Sequence, residues 1–238
     1  PPRPLDGRSL VPLVRGETAA WSDRTLFVHV QRQEIPPKWG ASAVMTDRWR
    51  LVNGIELYDI KADPAQSKDV AGQYPDIVAQ LRARYEEWWA TLEPVFQRYG
   101  CIVVGAGAEN PTRFTCMDWH APDLGQIPWD QTQVQKMPWA NGWWMVEVAQ
   151  PGPYRITLRH QPAVAGRPLE ATRARVRWGS VEASCAVPAG ATAVTLDMDL
   201  PAGRDRFQTW LEDEASGRAR GAFYVEIERR AHDAGLGR

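Results

Sequence analysis

Hydrophobic and polar positions change character along this 238-residue chain. Residues 1–24 show one short amphipathic piece, Ser9 to Val14, in which Pro12 prevents a long helix. From Thr25 the pattern is that of strands. Thr25 to Val30 is rich in strand formers and ends in the polar run Gln31 to Glu34 and the Pro36-Pro37 break. Ser42 to Met45 predicts a second strand, turning at Thr46-Asp47, and Arg48 to Val52 alternates as a half-buried strand does. Asn53-Gly54 is a strong hairpin signal, since both positions tolerate positive φ, and it leads into Ile55 to Tyr58. These runs predict a small antiparallel sheet of four strands.

After the Asp63-Pro64 turn the period lengthens. Pro75 suits the first turn of a helix, and Asp76 beside it complements the helix dipole. Ile77, Leu81, Tyr85, Trp88, Trp89 and Leu92 then share one helical face, and Pro94 ends the element. One helix on one sheet makes an α+β unit.

Beyond Gly100 short apolar runs alternate with Gly and Pro, and no helix is expected. Candidate strands are 101–104, 142–148, 154–159, 174–178, 193–200, 206–211 and 222–228, which together predict a jelly-roll-like β-sandwich. A long irregular stretch from Asn110 to Asn141 carries Trp119, Trp129 and Trp139. The expected fold class is therefore α+β followed by all-β. The expected organisation is a linker over 1–24, the α+β unit over 25–97, the sandwich over 98–230 and a disordered tail over 231–238.

Composition narrows the function classes. A chain 44% hydrophobic and 24% charged is globular rather than disordered, and it has no apolar run of about eighteen residues to span a membrane. A net charge of -1 offers no footprint for nucleic acid. Cys101, Cys116 and Cys185 are odd in number and widely spaced, which fits neither a zinc site nor a complete disulfide framework. The opening Pro1-Pro2-Arg3-Pro4, without an initiator Met, leads to the expectation of the rear part of something longer.

No catalytic constellation is complete. Gly105 to Ala108 lacks the lysine and the context of a phosphate loop, and His120 near Asp118 has no accompanying nucleophile. Glu86-Glu87 are adjacent helix positions that point apart. Trp88 and Trp89 read as helix core. Trp119, Trp129 and Trp139 read either as a sugar-stacking platform or, favoured for such large rings, as a plug in the sandwich. Asn110, Asp118 and Asp130 offer hard oxygens for a structural calcium, although such residues more often cap turns. Arg173, Arg175 and Arg177 share one face of a strand, read as a solvated face in preference to a polyanion site.

Particular motifs carry a family resemblance. Leu5 to Leu10 with Pro12-Leu13 and Gly16, Asp23 to Val28, and above all Ala43 to Pro64 (AVMTDRWRLVNGIELYDIKADP) resemble the segments that follow the catalytic domain of type I sulfatases. Val70-Ala71 and Tyr74 to Trp89 are similar to the helix that closes those enzymes. Asn141 to Trp144, Gly152 to Tyr154 and Gly221 to Val225 resemble, less specifically, an extra β-sandwich of some bacterial sulfatases.

The family's C/S-x-P-x-R signature is absent, since the three cysteines are followed by IVVG, MDWH and AVPA. The resemblance thus implies the C-terminal part of a bacterial sulfatase, inactive alone. Formylglycine and calcium would lie in an N-terminal catalytic domain that is its partner. It further implies a sulfated small molecule or glycan as substrate, a periplasmic or secreted setting, and no nucleic-acid or membrane partner. By analogy with the family's first C-terminal strand, His29, Gln31 and Arg32 are the expected substrate contacts, although packing competes for His29. Phosphonate and phosphate monoester hydrolases share the superfamily. The alternative from another class is a stand-alone carbohydrate-binding or interaction module.

Overall fold

The computed structural model describes residues 7–17, 22–30, 34–96, 98–121 and 127–230. The chain divides into two compact units, one of Pro1–Gln31 with Ile35–Phe96 and one of Arg32–Glu34 with Gln97–Arg238. The expected tail over 231–238 lies outside the described residues.

In the first unit the amphipathic piece forms a single helical turn, α1 (Val11–Val14), with Pro12 in its first turn. The sheet is antiparallel in the order β1 (Leu26–His29), β2 (Ser42–Met45), β3 (Trp49–Val52), β4 (Glu56–Asp59). Asn53 and Gly54 adopt φ of 50° and 70°. That left-handed pair is what a two-residue turn needs to match strand twist. The Asn53 side-chain oxygen also accepts from the Ser42 amide at 2.9 Å.

The helix α2 (Pro75–Leu92) covers one face of this sheet. Leu81, Tyr85 and Trp89 are buried with Val44, Leu51 and Leu57. Asp63 and Asp69 order the connection into α2. Asp63 accepts from the amides of Ser67 and Lys68, and Asp69 accepts from those of Leu57 and Ala71. Those amide dipoles favour the ionised carboxylate, so Asp63 lies below the usual carboxylate range.

The second unit is a sandwich of two sheets. One runs β10 (Val181–Ala186), β9 (Arg173–Trp178), β12 (Gly203–Asp213), β7 (Trp143–Val148), β5 (Ile102–Val104), with β13 (Arg218–Arg220) also on β12. The other runs β11 (Val194–Leu200), β8 (Gly152–Arg159), β14 (Tyr224–Arg229), β6 (Thr112–Thr115). Leaving aside β5 and β13, successive strands switch sheet except across the β9–β10 hairpin, which is a jelly-roll path. The inward positions are strictly periodic: Val194, Leu196, Met198 and Leu200 on β11 are buried and the residues between them exposed. Phe114, Trp144 and Phe207 meet at the centre, with ring centroids 5.0 to 5.9 Å apart.

The fold class is the one the sequence predicts, with local departures. Strands β6, β10 and β13 were not expected. β6 offers one large apolar residue, Phe114, and β10 (VEASCA) is an edge strand of small residues with no fully buried position. The expectation of no helix beyond Gly100 is corrected by α3 (Gln131–Gln135), held at its start by Asp130, whose carboxylate accepts from Gln133 at 2.8 Å. Five residues are too few to display a period of 3.6.

Candidate functional site: a tryptophan cleft on the sandwich

Of the three expected substrate contacts, Gln31 and Arg32 lie outside the described residues. His29 shares a face with Phe27, as strand alternation requires, and that face meets α2. Its ring lies 5.3 Å from Trp89 and 6.5 Å from Tyr85, and Nδ1 is 3.1 Å from the Val30 carbonyl. Phe27 stacks on Trp88 at 4.9 Å, so the Trp88-Trp89 pair serves the helix–sheet contact.

The oxygens considered for a metal hold local structure instead. Asp118 and Thr115 form a reciprocal cap on the turn Cys116–Asp118, Asn110 pairs with the backbone of Arg229, and Asp130 starts α3. Among the described residues no group of three or more His, Cys, Asp or Glu side chains is placed to hold a metal. Those oxygens are thus engaged in caps and backbone contacts, and no chemical step through a metal is assigned to them.

The three tryptophans separate. Trp119 is core, 4% exposed, 5.6 Å from Trp144 and 5.8 Å from Phe223. Trp129 is 39% exposed. Trp139 lines a cleft of about 340 Å³ with Ile127, Pro128, Gln133, Lys136, Pro138 and Ala140. The cleft thus combines an aromatic ring and apolar walls with the amide of Gln133 and the ammonium of Lys136.

The cleft's backbone is held from behind by side chains distant in sequence. Arg220, 4% exposed, donates to the Met137 carbonyl at 2.7 Å, and its guanidinium lies 3.7 Å over the Trp139 ring. Arg218 lies 4.3 Å from the same ring. Gln161 donates to the Val134 carbonyl at 3.2 Å, and Arg167 donates to that of Gln135. Three side-chain donors thereby hold carbonyls at and just past the end of α3, that of Val134 also accepting from the Met137 amide at 3.0 Å.

Beneath them His160 is fully buried, with its ring 5.0 Å from Phe223. Neither ring nitrogen has a well-formed hydrogen bond among the described residues; the Leu169 backbone is only a weak electrostatic partner. Burial first, and the Arg220 charge second, push His160 down to about 3. Sequence reasoning named Trp139 but not the residues that hold it, because no local signal links Arg220 to a loop 83 residues earlier.

The fold defines a jelly-roll sandwich bearing a braced aromatic cleft, in one chain with an α+β unit. No family model matches the chain, and no curated protein matches it. Among solved structures, part of the chain is similar to a carbohydrate-binding module, CBM6cm-2 of lichenase 5A from Cellvibrio mixtus, in complex with cellotriose. That match has a TM-score of 0.25 and 17% identity, covering 39% of this chain and 73% of that one. A ruminal GH26 endo-β-1,4-mannanase gives a TM-score of 0.34 and 15% identity over 58% of this chain and 28% of its own. The C-terminal CBM6 of LamC from Zobellia galactanivorans gives 0.24 and 14%, over 38% and 74%. Likeness at this level transfers no ligand to this chain.

Proposed function

We propose that the sandwich is a carbohydrate-recognition module that binds glycan in the Trp139 cleft without catalysing a reaction. The observation that carries this reading is the cleft itself: a tryptophan ring, apolar walls and two polar side chains on a backbone fixed before any ligand arrives. A sugar presents an apolar C–H face and a rim of hydroxyls, which is the complement of such a lining. Bracing the loop in advance lowers the ordering cost of binding. Isothermal titration of the chain with a panel of neutral oligosaccharides tests it. Saturable binding weakened at least about tenfold (1.4 kcal/mol) by Trp139→Ala is expected. Absence of binding across the panel, or affinity unchanged in the variant, refutes it.

A second reading concerns the α+β unit, as the part that completes the substrate pocket of a bacterial sulfatase acting on sulfated glycans. It is favoured by the outward side of β1, where Leu26 and Val28, and Val30 just beyond, are 40%, 47% and 49% exposed. Apolar side chains alternating outward from a sheet edge suit a covering protein surface. A catalytic domain preceding this chain, and a periplasmic or secreted setting, belong to this reading. So does a substrate role for His29, which requires the ring to leave its place against Trp89. In such a full-length sulfatase, His29→Ala lowers kcat/KM at least about tenfold if the ring touches substrate; unchanged kinetics with a lower melting temperature leaves it a packing residue.

A further inference from the structure

The outer face of the six-stranded sheet carries chemistry that the cleft does not use. Register places the side chains of Arg173, Arg175 and Arg177 on β9 beside Glu212, Trp210 and Gln208 on β12, and Gln208 in turn beside Trp143 on β7. Arg206 continues the face by one more outward position. The arginines fall into two sets. Arg175 is neutralised between Glu212 at 3.1 Å and Glu182 at 3.4 Å, and Arg204 by Glu147 at 2.7 Å. Arg173, Arg177 and Arg206 have no carboxylate partner among the described residues.

Those three are nonetheless held. Arg173 donates to the Ser184 hydroxyl at 2.9 Å and Arg177 to the Gln208 side-chain oxygen at 3.3 Å. Arg206 lies 4.3 Å over the Trp143 ring, and His120 stacks on Trp143 at 4.5 Å. Arg175 and Arg177 lie 3.8 and 5.1 Å from the Trp210 ring. Tryptophan faces and neutral oxygens therefore orient exposed guanidiniums that form no ion pair of their own, on a face where Arg173, Arg175, Arg177, Arg204 and Arg206 outnumber Glu147, Glu182 and Glu212. At the rise of a β-strand, Arg173, Arg177 and Arg206 span roughly 20 Å along one sheet.

We propose that this face is a second binding surface, for an extended sulfated glycan chain, with Arg173, Arg177 and Arg206 as its contacts to the sulfate groups. Spaced guanidiniums fit discrete oxyanions carried along a chain, each able to take a bidentate pair. Nucleic acid is the other polyanion such a face could take, and single-stranded DNA is the control that separates the two. The proposal takes its glycan class from the carbohydrate-binding reading, but it uses different residues.

The test is titration of the chain with a size-defined heparin octasaccharide, its desulfated counterpart and a single-stranded DNA of matched charge. Expected are binding of the sulfated probe only, a loss of at least about tenfold in affinity in the triple variant Arg173→Gln/Arg177→Gln/Arg206→Gln, and a weaker salt dependence in that variant. Arg177→Lys, with an unchanged melting temperature, controls for folding and retains part of the affinity. Trp139→Ala leaves this binding intact, so the two readings fail separately. Equal binding of the desulfated probe, equal or tighter binding of DNA, or a triple variant that binds like the wild type would overturn the proposal.

Discussion

Acidification from about pH 7 to about pH 5 destabilises the sandwich through His160. The ring is buried among Phe223 and its neighbours with Arg220 nearby, which holds its pKa at about 3, against 6.5 for an ordinary histidine. Between those values the unfolded chain binds a proton that the folded chain refuses, so stability falls as pH falls. Below about pH 6 the limiting slope is about 1.4 kcal/mol per pH unit, and integration from pH 7 to pH 5 gives a loss of about 2 kcal/mol. The figure hardly depends on how far below 4 the folded value lies. Against a domain stability of about 5–15 kcal/mol, this is a readable fraction.

Urea unfolding of the wild type and His160→Leu at the two pH values isolates the contribution, because other groups titrate alike in both. The wild type loses about 2 kcal/mol more than the variant over that interval. Equal losses, or an NMR titration in which the His160 ring protonates near its ordinary value, would show that the burial argument is wrong.

Three further outcomes follow from packing and burial. A methyl group at Gly221 would meet Trp119 at 2.4 Å, inside a ring cluster that cannot yield, so Gly221→Ala costs about 1–3 kcal/mol by thermal melting; an unchanged melting temperature contradicts the tight approach. Burial pushes the Cys116 thiol up to about 12, so near pH 8 Ellman's reagent labels Cys101 before Cys116, which reacts only after unfolding; equal native rates count against this. Asn53→Ala removes both the residue that tolerates φ of 50° and the acceptor for the Ser42 amide, at a cost of about 1–2 kcal/mol by urea titration. A neutral result there places the turn's stability elsewhere.

The elements legible in the chain are those with a local cause. Asn53-Gly54 makes its turn wherever the flanking strands lie, and Pro75 with Asp76 starts α2 before the helix finds a partner. The alternation of β11 and the apolar face of α2 state their own burial. β10 is illegible for the same reason in reverse: its small, half-exposed residues are a strand because β9 offers it a ladder, not because of their own preference.

The candidate sites divide along the same line. Alternation alone puts Phe27 and His29 on one side of β1, but only the packed α2 makes that side an interior, which turns an expected substrate contact toward Trp89. A tryptophan in an irregular stretch was readable at 119, 129 and 139. That the first is core and the third lines a cleft was decided by Trp144 and Phe223 for one and Arg220 for the other. Sequence by itself determined the periods, the turns and the two-part architecture, because backbone preference acts between neighbours. Tertiary structure alone decided which faces are covered, which arginines form ion pairs and what burial does to His160, because those depend on groups brought together from far along the chain.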